Sequence, residues 1–290
     1  MSLATPEETL GLYQRRKMVN RLMTMAMLGA AILAVVPLVL ILGYVLKEGF
    51  GAISLDLFTE DPNPPTRPGG GFRSSLVGSG IMVGLAMAIG VPVAVGAGIF
   101  LAEYGQGRIG LVIRFLVDVL AGIPSIIMGL FVYGLVVVRQ GHFSGWAGSL
   151  ALGILLLPIV ARITEEMMLL VPRSVREASL ALGAPYWKTV TRIVLPTAFP
   201  GIITGIVLAM SRIAGEAAPL LFTSLGNQFY STDIFQAMDA LPLRIYVFAT
   251  GPYEFWHQQA WAMALVLVGI IFGISFVVRA LFGTRITVRQ

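Results

Sequence analysis

LMTMAMLGAAILAVVPLVLILGYVL (residues 22–46) and SSLVGSGIMVGLAMAIGVPVAVGAGIFLA (residues 74–102) contain no Asp, Glu, Lys or Arg. The hydrocarbon core of a bilayer is crossed by about 20 apolar residues in an α-helix, so each run is long enough to span it. Four more runs follow: Ile109–Val138, Trp146–Val171, Pro200–Thr223 and Ala260–Val278. The reading is an all-α polytopic membrane protein with six transmembrane helices. Composition points the same way. Hydrophobic residues make up 57% of the chain, and charged residues 12% where a soluble domain carries about 25%. The mean hydropathy is +0.85. These values exclude a water-soluble globule and a disordered chain. With no cysteine, a disulfide scaffold, thiol catalysis and Cys-ligated metals fall away as well.

Six spans place both termini on one side, and the basic residues choose which. Arg15, Arg16, Lys17, Arg21, Arg108, Arg114, Arg162, Arg173, Arg176, Lys188, Arg192, Arg279, Arg285 and Arg289 fall in one set of connections. The opposite set has Lys47, Arg67, Arg73, Arg139 and Arg244. The excess of positive charge on cytoplasmic segments therefore predicts cytoplasmic termini. The basic pI of about 9.7 has the same origin and calls for no nucleic-acid partner. Arg15-Arg16 precedes an apolar run too long for a signal-peptide core, with no small-residue cleavage site, so it reads as the flank of an uncleaved first helix.

Between the spans, 47–73 reads as an external tether, its Thr59–Arg73 portion too rich in proline and glycine for a helix or central strand. The 224–259 segment reads as a larger external loop bearing Asp233, Asp239 and Glu254. Gly80/Gly84, Gly201/Gly205 and Gly269/Gly273 have the spacing that lets helix backbones approach closely in lipid. Pro37, Pro92, Pro124, Pro158 and Pro219 predict kinks. These serve tight packing, or a pathway lined by kinked helices. For the pathway the best candidate is 121–129, where an unwound turn at Pro124-Ser125 would expose backbone donors. No Gly-Lys pair occurs, so there is no phosphate-binding loop and no ATP site. His142 and His257 are the only histidines and lie in separate external segments, which argues against a metal centre or His-based catalysis.

The longest cytoplasmic connection, 172–199, is too structured for a linker. Val175–Leu182 reads as a short helix stopped by Gly183, and Pro185 suits the first position of a second helix that ends near Leu195-Pro196. Such a unit, with Tyr186 and Trp187 on it, serves as a docking element or as a hairpin packed on its own bundle.

Here the residues become specific. Glu177-Ala178-Ser179, Gly183 and Ile193-Val194-Leu195-Pro196 resemble the EAA loop of ABC importer permeases: Glu-Ala-Ala, three residues, Gly, nine residues, Ile-x-Leu-Pro. Every spacing matches, and Ser179 is the only departure. Arg212-Ile-Ala-Gly-Glu216-Ala-Ala-Pro-Leu-Leu-Phe-Thr223 and the segment from Asp118 to Phe131 resemble the PstA-type permeases of phosphate importers. Sulfate and molybdate permeases share an Arg-x-x-Gly-Glu element; the Ala-Pro-Leu-Leu-Phe-Thr continuation favours phosphate.

The resemblance implies a type I ABC importer permease bundle with a cytoplasmic helix–Gly–helix coupling loop. Its organisation would be a cytoplasmic tail (1–21), a first helix (22–46), an external tether (47–73), a transmembrane domain (74–282) including the coupling loop (172–199), and a cytoplasmic tail (283–290). The loop would fit a cleft on an ATPase subunit through Glu177, Ala178, Gly183, Tyr186, Trp187, Ile193, Leu195 and Pro196. The implied partners are a second phosphate permease forming a heterodimer, two ATP-binding subunits holding ATP and Mg, and an external phosphate-binding protein. The implied location is the bacterial cytoplasmic (inner) membrane. This chain itself would carry no cofactor and no catalytic residue.

Arg212 and Glu216, four residues apart, would share one face of a continuous helix. A charge near mid-bilayer is costly and faces a cavity or a partner. One reading is a mutually neutralised pair that locks the bundle. The other, which the resemblance favours, makes Arg212 a phosphate contact, since its planar fork suits tetrahedral oxyanions, with Glu216 tempering the affinity. Ser125 is a further pathway candidate. Arg114/Asp118 and Arg162/Glu165/Glu166 have helical pair spacing and read as structural. The alternatives to a phosphate permease are a permease for molybdate or sulfate, and a membrane scaffold or signalling subunit that conducts nothing.

Overall fold

A computed structural model describes residues 6–64, 67 and 69–282. Among them the chain is helical, with two isolated β-bridges, Pro62–Gly70 and Leu225–Met238. In order come α1 (Pro6–Ala52), α2 (Arg73–Tyr104), α3 (Arg108–Gly122), α4 (Ser125–Val132), α5 (Gly145–Leu169), α6 (Arg173–Ala181), α7 (Tyr186–Thr189), α8 (Leu195–Ala214), α9 (Ala218–Thr223), α10 (Leu241–Ala249) and α11 (Glu254–Phe282). A single helical turn, Asp56–Thr59, precedes α2. A π-helical turn, Tyr133–Val137, extends α4 to Gln140, and another, Val190–Val194, joins α7 to α8. Among the described residues five helices are long and apolar enough to cross a bilayer: α1, α2, α5, the joined α7–α8 and α11.

The sixth span is broken. The run expected to cross as a single kinked helix over Ile109–Val138 turns by 105° between α3 and α4. Pro124 has no N–H to continue the helix and forces Ile123 into an extended conformation (φ −76°, ψ 129°). The pair still makes one net crossing, as the packing around it demonstrates. Met82 of α2 lies against Gly148 of α5, and sixteen residues further on Gly98 lies against Thr164. The two helices therefore run the same way, and the chain between them must cross an odd number of times.

This α2–α5 pair is the centre of the bundle. Gly78, Met82, Ala86, Gly90, Ala94 and Gly98 are all buried, one every fourth residue. A Cβ added at Gly98 would lie 2.5 Å from Thr164 Cβ, and one at Gly90 would lie 3.1 Å from the Gly153 carbonyl oxygen. Backbone contact of this kind drives helix association where lipid removes the hydrophobic contrast. Of the glycine pairs expected at interfaces, Gly201 and Gly205 pack on Met167 and Ile163 of α5. Gly80/Gly84 and Gly269/Gly273 do not; a Cβ there would meet nothing within 4 Å. Gly80 and Gly84 instead line an apolar cavity of about 300 Å³ with Met210, Ala214 and Ile270, between α2, α8 and α11.

The contacts of Gly201 and Gly205 make α8 antiparallel to α5. Phe282 at the end of α11 meets Phe199 near the start of α8, with ring centroids 6.1 Å apart. At the other face Tyr44 of α1 stands edge-on to Trp261 of α11 at 4.9 Å. The start of α1 and the end of α11 thus lie on the α6–α7 side. Apart from its last two turns, where Val45 and Gly49 are buried, α1 is exposed along the stretch from Tyr13.

The opposite face is more ordered than the loop readings anticipate. Leu57 and Phe72, flanking the proline-rich stretch, are buried with Leu241, Phe248 and Met263. Arg73 pairs with Asp61 at 3.0 Å, and Gln259 donates to the carbonyls of Gly69 and Gly70. This segment is pinned down by its hydrophobic ends. The 224–259 segment contains α10, whose Arg244 bonds Asp239 through Nε at 2.7 Å. Ser75 also donates to Asp239, and the Leu241 N–H donates to Ser79 at 2.7 Å, fastening the loop to the start of α2. Burial pushes the Asp239 carboxyl up from its ordinary pKa, against the opposing effects of Arg244 and Ser75.

Candidate functional site

The helix–Gly–helix unit folds as its sequence suggests. α6 ends at Ala181, and Gly183 takes a left-handed φ of +80° that costs glycine nothing and other L-residues more. Pro185 sits one position earlier than expected, as the residue before α7 rather than its first. Across the turn Ser179 and Thr189, both buried, bring their hydroxyls to 2.8 Å. The one departure from the Glu-Ala-Ala pattern is thus a clasp between the two arms. Glu177, Ala178, Gly183, Tyr186, Trp187 and Pro196 are exposed, while Ile193 and Leu195 are half-buried. Leu182 and Trp187 are 89% and 61% exposed. The tip of the unit thus presents two large apolar side chains that nothing in the described chain covers.

The second arm does not end near Leu195-Pro196. It runs through the π-helical turn at Val190–Val194 straight into α8. Pro196 is tolerated because the widened turn before it has already displaced the carbonyls it would meet. The second arm of the unit and the fifth span are therefore one continuous helix, Tyr186–Ala214.

That helix stops inside the bundle. Pro219 lacks the N–H that would bond the Gly215 carbonyl, and its ring would clash there, so α8 ends at Ala214 and α9 starts afresh at Ala218. Arg212 and Glu216 accordingly do not share a helical face. Arg212 is exposed in the last turn of α8, where the helix dipole favours a cation, and Glu216 is half-buried in the break. Among the described residues neither forms an ion pair, so the mutually neutralised pair is not present.

A second break lies beside the first. Gln140 at the end of the α4 extension bonds Ser144, and the Ser144 N–H donates to the Thr223 carbonyl at the end of α9. Both segments therefore rise toward the same end. Lower down, a Cβ on Gly129 would lie 2.6 Å from Pro219 Cα. Ser125, one turn before Gly129, is consequently level with the Gly215–Ala217 break. Two proline-induced interruptions thus meet at one height of the bundle, each with backbone polar groups that have left the helical ladder. In a bilayer, irregular backbone is tolerated where it is buried in protein or lines a water-filled cavity.

The charges near the α6–α7 face pair across helices and not along them. Arg114 bonds Glu165 at 2.7 Å and donates to the Leu101 and Gly105 carbonyls, capping α2. Arg162 pairs with Asp118. Glu103, which drew no attention in the sequence, pairs with Arg176 at 2.8 Å and accepts from the Tyr186 hydroxyl. Its only sequence-level signal was an acid at the end of an otherwise uncharged apolar run.

Residues 94–286 match the family model described as "Binding-protein-dependent transport system inner membrane component". The chain is 44% identical to the phosphate transport system permease protein PstA of Yersinia pestis, over 93% of this chain and 92% of that one. It is 46% identical to the protein of the same name from Xylella fastidiosa strain Temecula1, over 93% and 94%. Among solved structures, a bacterial ABC transporter involved in the import of the acidic polysaccharide alginate aligns with a TM-score of 0.66 at 14% identity, over 95% of this chain and 99% of that one. The inward-facing MetNI methionine ABC transporter aligns at 0.57 and 20% identity, over 72% and 93%. These two likenesses are of fold.

Proposed function

The chain belongs to the family of binding-protein-dependent transport system inner membrane components, and on that footing we propose that it is a permease subunit forming half of the transmembrane path of an ATP-driven inorganic phosphate importer. The identity to PstA proteins across almost the whole chain supports the substrate. The observation that carries the mechanism is the exposed Leu182–Trp187 tip, continuous through one helix with the break beside Arg212.

In this reading two ATP-binding subunits hold ATP and Mg, and this chain holds neither. A second phosphate permease completes the path, and an external phosphate-binding protein delivers the anion. The α6–α7 face, with both termini, is cytoplasmic in a bacterial inner membrane. Residues 74–282 form the transporter domain, preceded by α1, which reaches from within the 1–21 tail into the 47–73 segment, and followed by the 283–290 tail.

Glu177, Ala178, Gly183, Tyr186 and Trp187 meet the ATPase, and Ile193, Leu195 and Pro196 set the π-helical turn that passes its movement to α8. When the ATPase subunits close, α7–α8 is displaced along its axis. The Gly215–Ala217 break then moves relative to Ser125, opening or shutting the path at that height. Arg212, which forms no ion pair among the described residues, contacts the oxyanion on the face shared with the second permease. Glu216 and Ser125 border it, and the acid limits how tightly the anion is held.

Uptake of labelled phosphate, sulfate and molybdate into proteoliposomes containing the assembled complex, with and without ATP, tests the reading. ATP-dependent phosphate uptake in excess of the other two is expected. ATP hydrolysis accompanied by sulfate or molybdate uptake alone would overturn the substrate and leave the architecture standing.

A further inference from the structure

Glu103 lies in the last turn of α2, where the helix dipole disfavours an acid, and its side chain is 2% exposed. A carboxylate so placed needs strong compensation. It has two donors, one from each arm of the docking unit: Arg176 of α6 at 2.8 Å and the Tyr186 hydroxyl at the start of α7. The same guanidinium donates to the Met168 and Val171 carbonyls, each at 2.9 Å, where α5 ends. Four helices therefore converge on one carboxylate–guanidinium pair. Two of them, α2 and α5, are locked together by the small-residue stripe ending at Gly98, five residues before Glu103.

We propose that Glu103 is a positioning residue that couples the α6–α7 unit to the α2–α5 pair, giving the unit a second output besides its covalent run into α8. Displacement of α6 and α7 acts on α8 through the backbone and on α2–α5 through Glu103 and Arg176. The two walls of the path then move in step. With the Glu103 link cut, α8 still follows the ATPase while α2–α5 lags, and ATP is consumed without a completed transport cycle.

The inference rests on the importer reading, and its readout is chosen to separate the two. The quantity is phosphate moved per ATP hydrolysed by the reconstituted complex, compared among wild type, Glu103→Gln and Arg176→Lys. Glu103→Gln keeps the shape and removes the charge; Arg176→Lys keeps the charge and removes the fork. Each variant is expected to lower the ratio by roughly tenfold in complexes recovered whole, a size typical of residues that carry coupling. A merely structural role would reduce the yield or thermal stability of the complex and leave the ratio at the wild-type value. An unchanged ratio in either variant that assembles would overturn the proposal. If wild type carries sulfate or molybdate in place of phosphate, the ratio is taken with that anion. The substrate reading then fails independently of the Glu103 result.

Discussion

Ser179 Oγ and Thr189 Oγ1 lie 2.8 Å apart in the interior of the α6–α7 turn, each the other's hydrogen-bonding partner across ten residues of chain. Ser179→Ala restores the Glu-Ala-Ala pattern yet strips the buried Thr189 hydroxyl of this partner. The expected cost is about 1–2 kcal/mol of stability, in the range of an orphaned buried hydroxyl. Thermal unfolding of the purified complex should show a lower midpoint. A midpoint equal to wild type would mean that the clasp contributes nothing.

Gly98 and Gly84 lie on the same helix, fourteen residues apart, and predict opposite outcomes for one substitution. At Gly98 a methyl group would meet Thr164 Cβ and the Ala161 carbonyl oxygen at 2.5–2.6 Å. Gly98→Ala should destabilise by about 1–3 kcal/mol, as overpacking does. At Gly84 the space is open, and Gly84→Ala should be neutral or gain up to about 1 kcal/mol from helix propensity. Paired denaturation curves of the two variants check the sign of each.

Asp239 and Arg244 are buried together between the 224–240 loop and α2. Asp239→Asn leaves the guanidinium buried without its counter-charge and should cost about 3–5 kcal/mol. The double variant Asp239→Asn/Arg244→Met removes both charges and should recover a good part of that loss. Limited proteolysis of the 224–259 segment in membranes made accessible from both sides reads both, and cleavage of the double variant as fast as the single one would contradict the pairing argument.

Arg212 supplies the sharpest test of the path. Arg212→Ala and Arg212→Lys should both abolish phosphate uptake while the complex still assembles, because the lysine keeps the charge and loses the planar fork. Uptake at the wild-type rate by either variant would remove Arg212 from the path. Glu216→Gln should leave assembly intact and slow release of the anion, visible as a lower maximal rate at saturating binding protein.

What could be read in advance followed from signals local along the chain. Apolar runs located the spans, and Gly183 with Pro185 located the turn, since a left-handed φ and a missing N–H act on their own neighbourhood. Properties set by packing were not readable. Whether Gly84 or Gly98 touches a neighbour depends on how α2 is rotated against α5, which one helix's spacing cannot reveal. Arg114 and Glu165 are fifty-one residues apart, and helical spacing paired each with the wrong partner. Pro124 predicted a kink, but 105° required knowing that α3 finds a resting place against α5. The spacing of Arg212 and Glu216 implies a shared face only on a continuous helix, and that face vanishes once Pro219 ends the helix early.

The break at Pro124 also has a consequence for the surrounding lipid. Only Ser125–Gln140 remains to traverse the apolar layer on that flank, about 24 Å at 1.5 Å per residue against a hydrocarbon thickness near 30 Å. The neighbouring α5, 25 residues long, is long enough to demand the full thickness. The molecule is therefore asymmetric in hydrophobic length around its circumference, and acyl chains beside α4 must compress unless protein covers them. Bilayer thickness becomes a variable of the transport cycle: in vesicles of graded acyl-chain length, uptake should be fastest in the thinner membranes and fall as the mismatch at α4 grows.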